Sequence, residues 1–371
     1  MAAQRFTALD VFRGMTICFM IIVNTPGNGP TTYSPLLHAH WHGFTPTDLV
    51  FPSFLFAVGN ALSFVMPKWD NLPTGTVVWK IVKRTLIIFL LGFLMYWFPF
   101  IKQVAGEWVF APFNQTRVFG VLQRIALCYG IAALLLYFLK PKLTVIISIS
   151  LLFLYWIILL AFGLDDPFSL EGNAGILLDK WLLGDAHLYH GEGIAFDPEG
   201  LLGTLPAISN VVGGFVVGSF IQKHGKTYEM LTKLLLAGVC LMAIAWSWNY
   251  FFPVNKKLWS SSFVLLTVGL DCVIISAIIY IIDFLHKTKW TYFFEVFGRN
   301  PLFIYLLSEL GVTLLYVFSV RPKVSVYKWL YETIYVNAGA YFGSLLFAIS
   351  VMLVCWLAGY FMDKKKIYVR V

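Results

Sequence analysis

Apolar runs long enough to cross a bilayer recur along this chain from end to end, and no other feature narrows its fold so far. The segments "TICFMIIVN" (16–24) and "TLIIFLLGFLMYWF" (85–98) are the most apolar parts of two of them, and "LTVIISISLLFLYWIILLAF" (143–162) is a third. A hydrocarbon core of roughly 30 Å needs about 20 helical residues, and the pattern yields ten helices, near 7–24, 48–66, 80–100, 117–139, 143–163, 200–221, 230–252, 260–284, 295–318 and 338–362. Composition agrees. Only 12% of the 371 residues are charged and 59% are hydrophobic, against about 25% charged in soluble domains. The expectation is an all-α, polytopic integral membrane bundle, a single transmembrane domain over 1–371. Its first run follows Arg5, Asp10 and Arg13 without a small-residue cleavage site, and so reads as a retained helix.

Lysine and arginine set the expected orientation. With the N-terminus cytoplasmic, Arg5, Arg13, Lys80, Lys83, Arg84, Lys140, Lys142, Lys364, Lys365, Lys366 and Arg370 all fall at inner ends, and far fewer cations fall outside. Both termini are thus expected in the cytoplasm. The formal charge of +8 then reflects topology and gives no support to nucleic-acid binding. The five cysteines (Cys18, Cys128, Cys240, Cys272, Cys355) are scattered singly in apolar segments and suggest neither disulfides nor a metal site. Two outer segments exceed turn length, 25–47 and 164–199. Together they are expected to form the mouth of the bundle, and the acidic second one suits either a cationic acceptor or a plain solvated loop.

Ionisable residues within spans are costly and usually face an interior, a cavity or a partner. Asp10 and Arg13 are three apart on one helical face, as an ion pair or an anion site at the membrane edge. Asn24 closes the same helix, as a cap or as an amide aimed at a reacting carbonyl. Gln123 and Arg124 lie about two turns into the fourth helix and favour a polar cavity. Arg299 and Asn300 precede Pro301, suited to a first helical turn, while Asp271 and Glu309 fall mid-span. In "LLHAHWHGFTPTDLVFP" (36–52) an extended backbone would put His38, His40 and His42 on one side, with Asp48 the nearest carboxylate. That spacing fits a weak metal site, or one histidine acting as general base beside two ordinary loop residues.

"LDVFRG", "VNTPG", "HAHWHGFTPTDLVFP", "GVLQRIALCYG", "WLLGDAHLYH", "FDPEGLLGT", "FPVNKKLWSSSFV" and "GRNPLFIY" occur in an order that resembles the heparan-α-glucosaminide N-acetyltransferase family and its bacterial relatives, over nearly the whole chain. The resemblance implies a multi-helix acyltransferase of the bacterial inner membrane. It would carry acetyl from cytoplasmic acetyl-CoA to a glucosamine-type amine on the other side, without a metal. His38 matches the family's catalytic histidine by its place before Trp-x-Gly and "TDLVFP", and Asn24 matches its active-site asparagine. The large extra lumenal domain of the lysosomal enzyme is missing, so an isolated amino sugar or an envelope glycan is the expected acceptor.

On this reading His38 is the base or a transient acyl carrier, and Asn24 donates to the oxyanion. Arg13, Arg124 and Arg299, with Asp10, Gln123 and Asn300 beside them, are the expected acetyl-CoA contacts. Trp41, Asp48, Asp197 and Glu199 are expected against the acceptor, although "DPEG" also reads as a turn before the sixth helix. An amino-sugar transporter is the rival from another class, and O-acetylation of an envelope glycan is the rival chemistry. The aromatic faces of the third and tenth helices suit either lipid or a second copy in a homodimer.

Overall fold

The computed structural model describes residues 6–104 and 107–369; Arg5 and Arg370, both used above to orient the chain, lie outside them. Thirteen α-helices are present among the described residues: α1 Thr7–Asn24, α2 Val50–Val65, α3 Thr74–Trp97, α4 Val121–Phe138, α5 Pro141–Phe162, α6 Ala174–Leu183, α7 Thr204–His224, α8 Tyr228–Trp248, α9 Ser261–Ile279, α10 Thr291–Arg299, α11 Pro301–Val317, α12 Val326–Leu330 and α13 Ala340–Lys364. Eight helical segments are long and apolar enough to cross a membrane, or nine if α10 and α11 count as one bent span. The protein is therefore a multi-pass membrane protein. At 24 residues α3 is also long enough, but Lys80, Lys83 and Arg84 leave its first half too charged to be counted with them.

Close helix contacts hold the bundle together, because lipid tails give apolar side chains no reason to leave them and packing must supply the attraction. Where α2 crosses α7, a Cβ on Gly59 would fall 1.8 Å from the Val211 carbonyl oxygen, and one on Gly214 would fall 2.0 Å from that of Phe56. The crossing of α1 and α10 is as tight: Gly14 faces the Phe294 carbonyl and Gly298 faces that of Asp10. Glycine lets these backbones touch. The periphery is the opposite. Ile146, Phe153 and Ile157 on α5, like Val354, Leu357 and Phe361 on α13, stand exposed on the outside of the bundle, as side chains facing acyl chains should.

Two expectations need correction. The ninth helix is not a continuous rod over 295–318: α10 and α11 meet at 83°, because Pro301 starts α11 at its first position and Asn300 leaves helical geometry (φ −129, ψ 53). The outer segment 164–199 is not all loop. Asn173 caps a ten-residue helix, accepting from the Ile176 N–H at 2.9 Å, and Gly184 at φ +74 ends it. The all-α class stands, and only two small antiparallel hairpins join helices among the described residues: β1 Ile101–Val104 with β2 Glu107–Phe110, and β3 Ser319–Arg321 with β4 Val324–Ser325.

Candidate active site

The segment between α1 and α2 folds back on the N-terminus of α2. Thr45 caps the 3-10 turn Pro46–Leu49 that leads into α2, reciprocally with Asp48: its hydroxyl and its N–H both reach Asp48 Oδ2, at 3.1 and 2.9 Å, and the Ala39 N–H adds a third donor at 3.2 Å. These bonds fix one carboxylate oxygen. The other, Asp48 Oδ1, lies 2.6 Å from His38 Nδ1. A carboxylate only accepts, so Nδ1 carries the proton and donates it, which leaves the lone pair on Nε2. The His38 side chain is 41% exposed and that of Asp48 only 1%. The imidazole is therefore reachable from outside while its orienting partner is shielded. Asp48, expected against the acceptor, instead stands behind His38.

Of the three histidines, His38 alone meets a carboxylate. His42 Nδ1 is 3.4 Å from Asn255 Nδ2, and partial burial holds its imidazole below the usual range against the pull of Asp166. The His40 carbonyl accepts from Lys257 Nζ at 2.9 Å, and that ammonium also pairs with Glu192. No group of three or more His, Cys, Asp or Glu suited to a metal ion occurs among the described residues. Trp41 is pinned by its Nε1–H to the Phe168 carbonyl at 2.8 Å and meets Phe196 edge-on, which ties the histidine loop to the segment carrying α6.

Asp197 and Glu199 are buried and face inward. Arg117 donates Nε and Nη2 to Asp197 at 2.9 and 2.6 Å, and Nη2 also reaches Glu199 at 2.6 Å. Lys256 Nζ stands 3.6 Å from Glu199. Burial alone would raise the Glu199 carboxyl, but Lys256, Arg117 and Arg124 outweigh it and hold it at about 2. The Arg117 guanidinium lies 4.8 Å from the ring centres of both Tyr96 and Tyr189. Lys256 and Lys257, adjacent in the chain, thereby touch both the acidic pair and the histidine loop. Apart from the paired lysines of "NKK" (255–257), nothing local in the sequence singles out Arg117, Lys256 or Lys257 beyond their charge.

Asn24 is exposed at the end of α1, and its Nδ2 donates to Glu309 Oε1 on α11 at 3.2 Å. Glu309 and Glu199 both act electrostatically on Tyr96 and Tyr305, so the Asn24–Glu309 pair and the Arg117 cluster flank one polar region. The expected acetyl-CoA contacts are divided between two places. Arg13 bonds Asp10 at 2.7 Å and the Gly298 carbonyl at 2.9 Å, and next to Gly298 Arg299 holds Asp363 and Glu295 at 2.6 Å each. Asn300 is bonded to the backbone of Ile367 and Val369. Arg124 is elsewhere: it donates to the Gly200 carbonyl at 2.8 Å and lies 4.9 Å from the Trp259 ring. The structure does not bring the three arginines together. Unpartnered atoms remain at both places, Arg299 Nε at the first and Arg124 Nε and Nη1 with both Gln123 side-chain polar atoms at the second, so each has donors to offer an anionic or amide-bearing ligand.

These features define a multi-pass membrane protein with an oriented histidine at the open end of its bundle. Residues 5–171 match the family described as "Heparan-alpha-glucosaminide N-acetyltransferase, catalytic". The chain is 29% identical to mouse heparan-alpha-glucosaminide N-acetyltransferase over 83% of its own length and 54% of the mouse protein. With the human protein of the same name it is 27% identical, over 82% and 53%. It thus spans about half the length of the curated relatives it matches.

Proposed function

We propose that the protein is a transmembrane acetyltransferase that moves acetyl from cytoplasmic acetyl-CoA to the amine of a glucosamine-type sugar on the outer side of a bacterial inner membrane. The observation that carries this reading is the His38–Asp48 pair: a reachable imidazole held by a buried carboxylate in the tautomer a general base requires.

The chemistry follows from that tautomer. An ammonium has no lone pair to attack with, so the acceptor must lose a proton, and His38 Nε2 is the group to take it. The freed amine attacks the thioester carbonyl carbon, the C–S bond breaks, the imidazolium gives its proton to the departing thiolate, and the second ammonium proton leaves the new amide nitrogen for water. Asn24 Nδ2 gives one N–H to Glu309 and keeps the other for the oxyanion formed on the way. Asp48 does not touch substrate; it positions His38 and stabilises the imidazolium. Arg13 and Arg299 are the cations for the phosphates of acetyl-CoA, and the Arg117–Asp197–Glu199 cluster forms the wall on the acceptor side. The 83° break between α10 and α11 also suits a transporter, since broken helices line transport sites.

One experiment separates the two. In detergent, with no gradient, purified protein given acetyl-CoA and glucosamine forms N-acetylglucosamine, and His38→Ala at normal protein level does not. Wild-type turnover by His38→Ala, or no product from the wild type, would remove the proposal. Labelled acetyl-CoA given without acceptor tells whether His38 itself carries the acetyl group.

A further inference from the structure

A sizeable cavity lies away from the polar site. It measures about 330 Å³ and runs between α11 and α13, with Leu307, Gly311, Leu315, Leu330, Val351 and Val354 among its walls. That size is at the lower edge of the ~300–1,000 Å³ typical of small-ligand sites. Val354 is 64% exposed, so the groove opens through the outer face of the bundle, where lipid is. The two serines in its wall make no demand on an occupant: Ser308 donates to the Tyr305 carbonyl and Ser350 to that of Leu346. Gly311 has no atom within 4 Å of where its Cβ would stand, so nothing in the protein fills the space beside it.

Beside Leu315 and Leu330 of the groove wall the chain carries charge. The β3–β4 hairpin follows α11 directly, closed by the Val326 N–H on the Phe318 carbonyl, and it carries Arg321 and Lys323, both exposed. Neither forms an ion pair among the described residues, whereas Lys328 beside them pairs with Glu332. Tyr327 of α12 donates to the Pro26 carbonyl just past Asn24, which puts this rim at the same end of the bundle as Asn24. An apolar trough ending at two unpaired cations, in a wall that faces lipid, matches an alkyl chain joined to an anionic head.

We propose that the α11–α13 groove is a binding site for an anionic phospholipid, with an acyl chain along Gly311 and Val354 and the phosphate at Arg321 and Lys323. This does not depend on the acetyltransferase reading. Native mass spectrometry of the full chain, released from bilayer discs of mixed phosphatidylglycerol and phosphatidylcholine, tests it. The wild type is expected to retain phosphatidylglycerol over phosphatidylcholine by roughly thirtyfold, the effect of two basic residues at an anionic surface. Arg321→Gln with Lys323→Gln should abolish the preference, and Gly311→Phe, whose ring would occupy the groove, should abolish retention of either lipid. Val354→Trp blocks the mouth from the lipid side and serves if Gly311→Phe does not fold. Equal retention of both lipids by the wild type, unchanged retention when the groove is filled, displacement by a polyprenyl phosphate, or a lipid-free dimer would each overturn it.

Discussion

Asp48 divides its two carboxylate oxygens between the capping turn at Thr45 and the imidazole of His38. It is the nearest carboxylate to the histidine triplet, and that proximity suited a metal ligand or a substrate contact equally well. What distinguishes His38 from His40 and His42 is the capping turn at Thr45, which folds one carboxylate oxygen back toward the loop; alternation along an extended strand treats the three histidines alike. If His38 works through that bond, the two residues act as one unit. Asp48→Asn should lower kcat by a factor on the order of 10²–10⁴ with little change in KM, as in other histidines deprived of their carboxylate. The double variant His38→Ala with Asp48→Asn should be no slower than His38→Ala alone. Additive losses in steady-state assays would show that Asp48 has a separate task. Arg117 makes a second residue-scale case. Removing it takes the guanidinium from buried Asp197 and leaves only Lys256 and Arg124 acting on Glu199, so Arg117→Gln should cost about 3–5 kcal/mol, read as a lowered unfolding midpoint in detergent. Replacing the trio Arg117, Asp197 and Glu199 together by apolar residues should cost much less.

At the scale of elements, apolar runs and prolines located the long helices, while contacts that depend on tertiary packing stayed hidden. Pro301 marked the start of a helix, but the turn of the chain at Asn300 is held by the Ile367 carbonyl and the Val369 N–H, 67 and 69 residues away, and no local pattern carries that. The helix α6 was missed for a related reason: its ten residues are too few to stand out among the acids and glycines around them, and docking supports it. Asp179 on α6 accepts from the Leu201 N–H at 3.0 Å, which fastens α6 to the turn that leads into α7. Burial raises the Asp179 carboxyl from 3.8 to about 7. The native state therefore keeps this proton where the unfolded chain has lost it, and its stability falls as pH rises from about 4 to about 7. The change is on the order of 4 kcal/mol for a shift of this size. Thermal unfolding in detergent should show the midpoint of the wild type dropping across that window. Asp179→Asn, which keeps the acceptor but cannot ionise, should flatten the curve and be the more stable protein at pH 8. An identical pH dependence for the two would dissociate α6 from this titration.

The whole molecule has two polar ends, joined by a bundle whose helices cross at glycine. At one end Arg13 and Arg299 gather around the α1–α10 crossing; at the other stand His38, the Arg117 cluster and the exposed Asn24. Such a division suits a reaction whose donor and acceptor come from opposite sides, and the cationic residues at the Arg13 end suit the phosphates of a donor that does not cross. Vesicles with the protein inserted in one orientation, determined by protease access to the C-terminal tail, test this directly. Acetyl-CoA supplied on the side of the termini, with glucosamine on the other, should yield N-acetylglucosamine in the compartment that held glucosamine. The reverse arrangement should yield at least tenfold less. The crossing of α1 and α10 should govern the result, because a Cβ on Gly298 would fall 2.1 Å from the Asp10 carbonyl oxygen. Gly298→Ala must push the two helices apart and move the Gly298 carbonyl away from Arg13. It should raise KM for acetyl-CoA more than KM for glucosamine, whereas Arg117→Lys, at the other end, should do the opposite. If both variants shift the two constants alike, or if product forms equally from either arrangement, the two ends do not serve separate substrates.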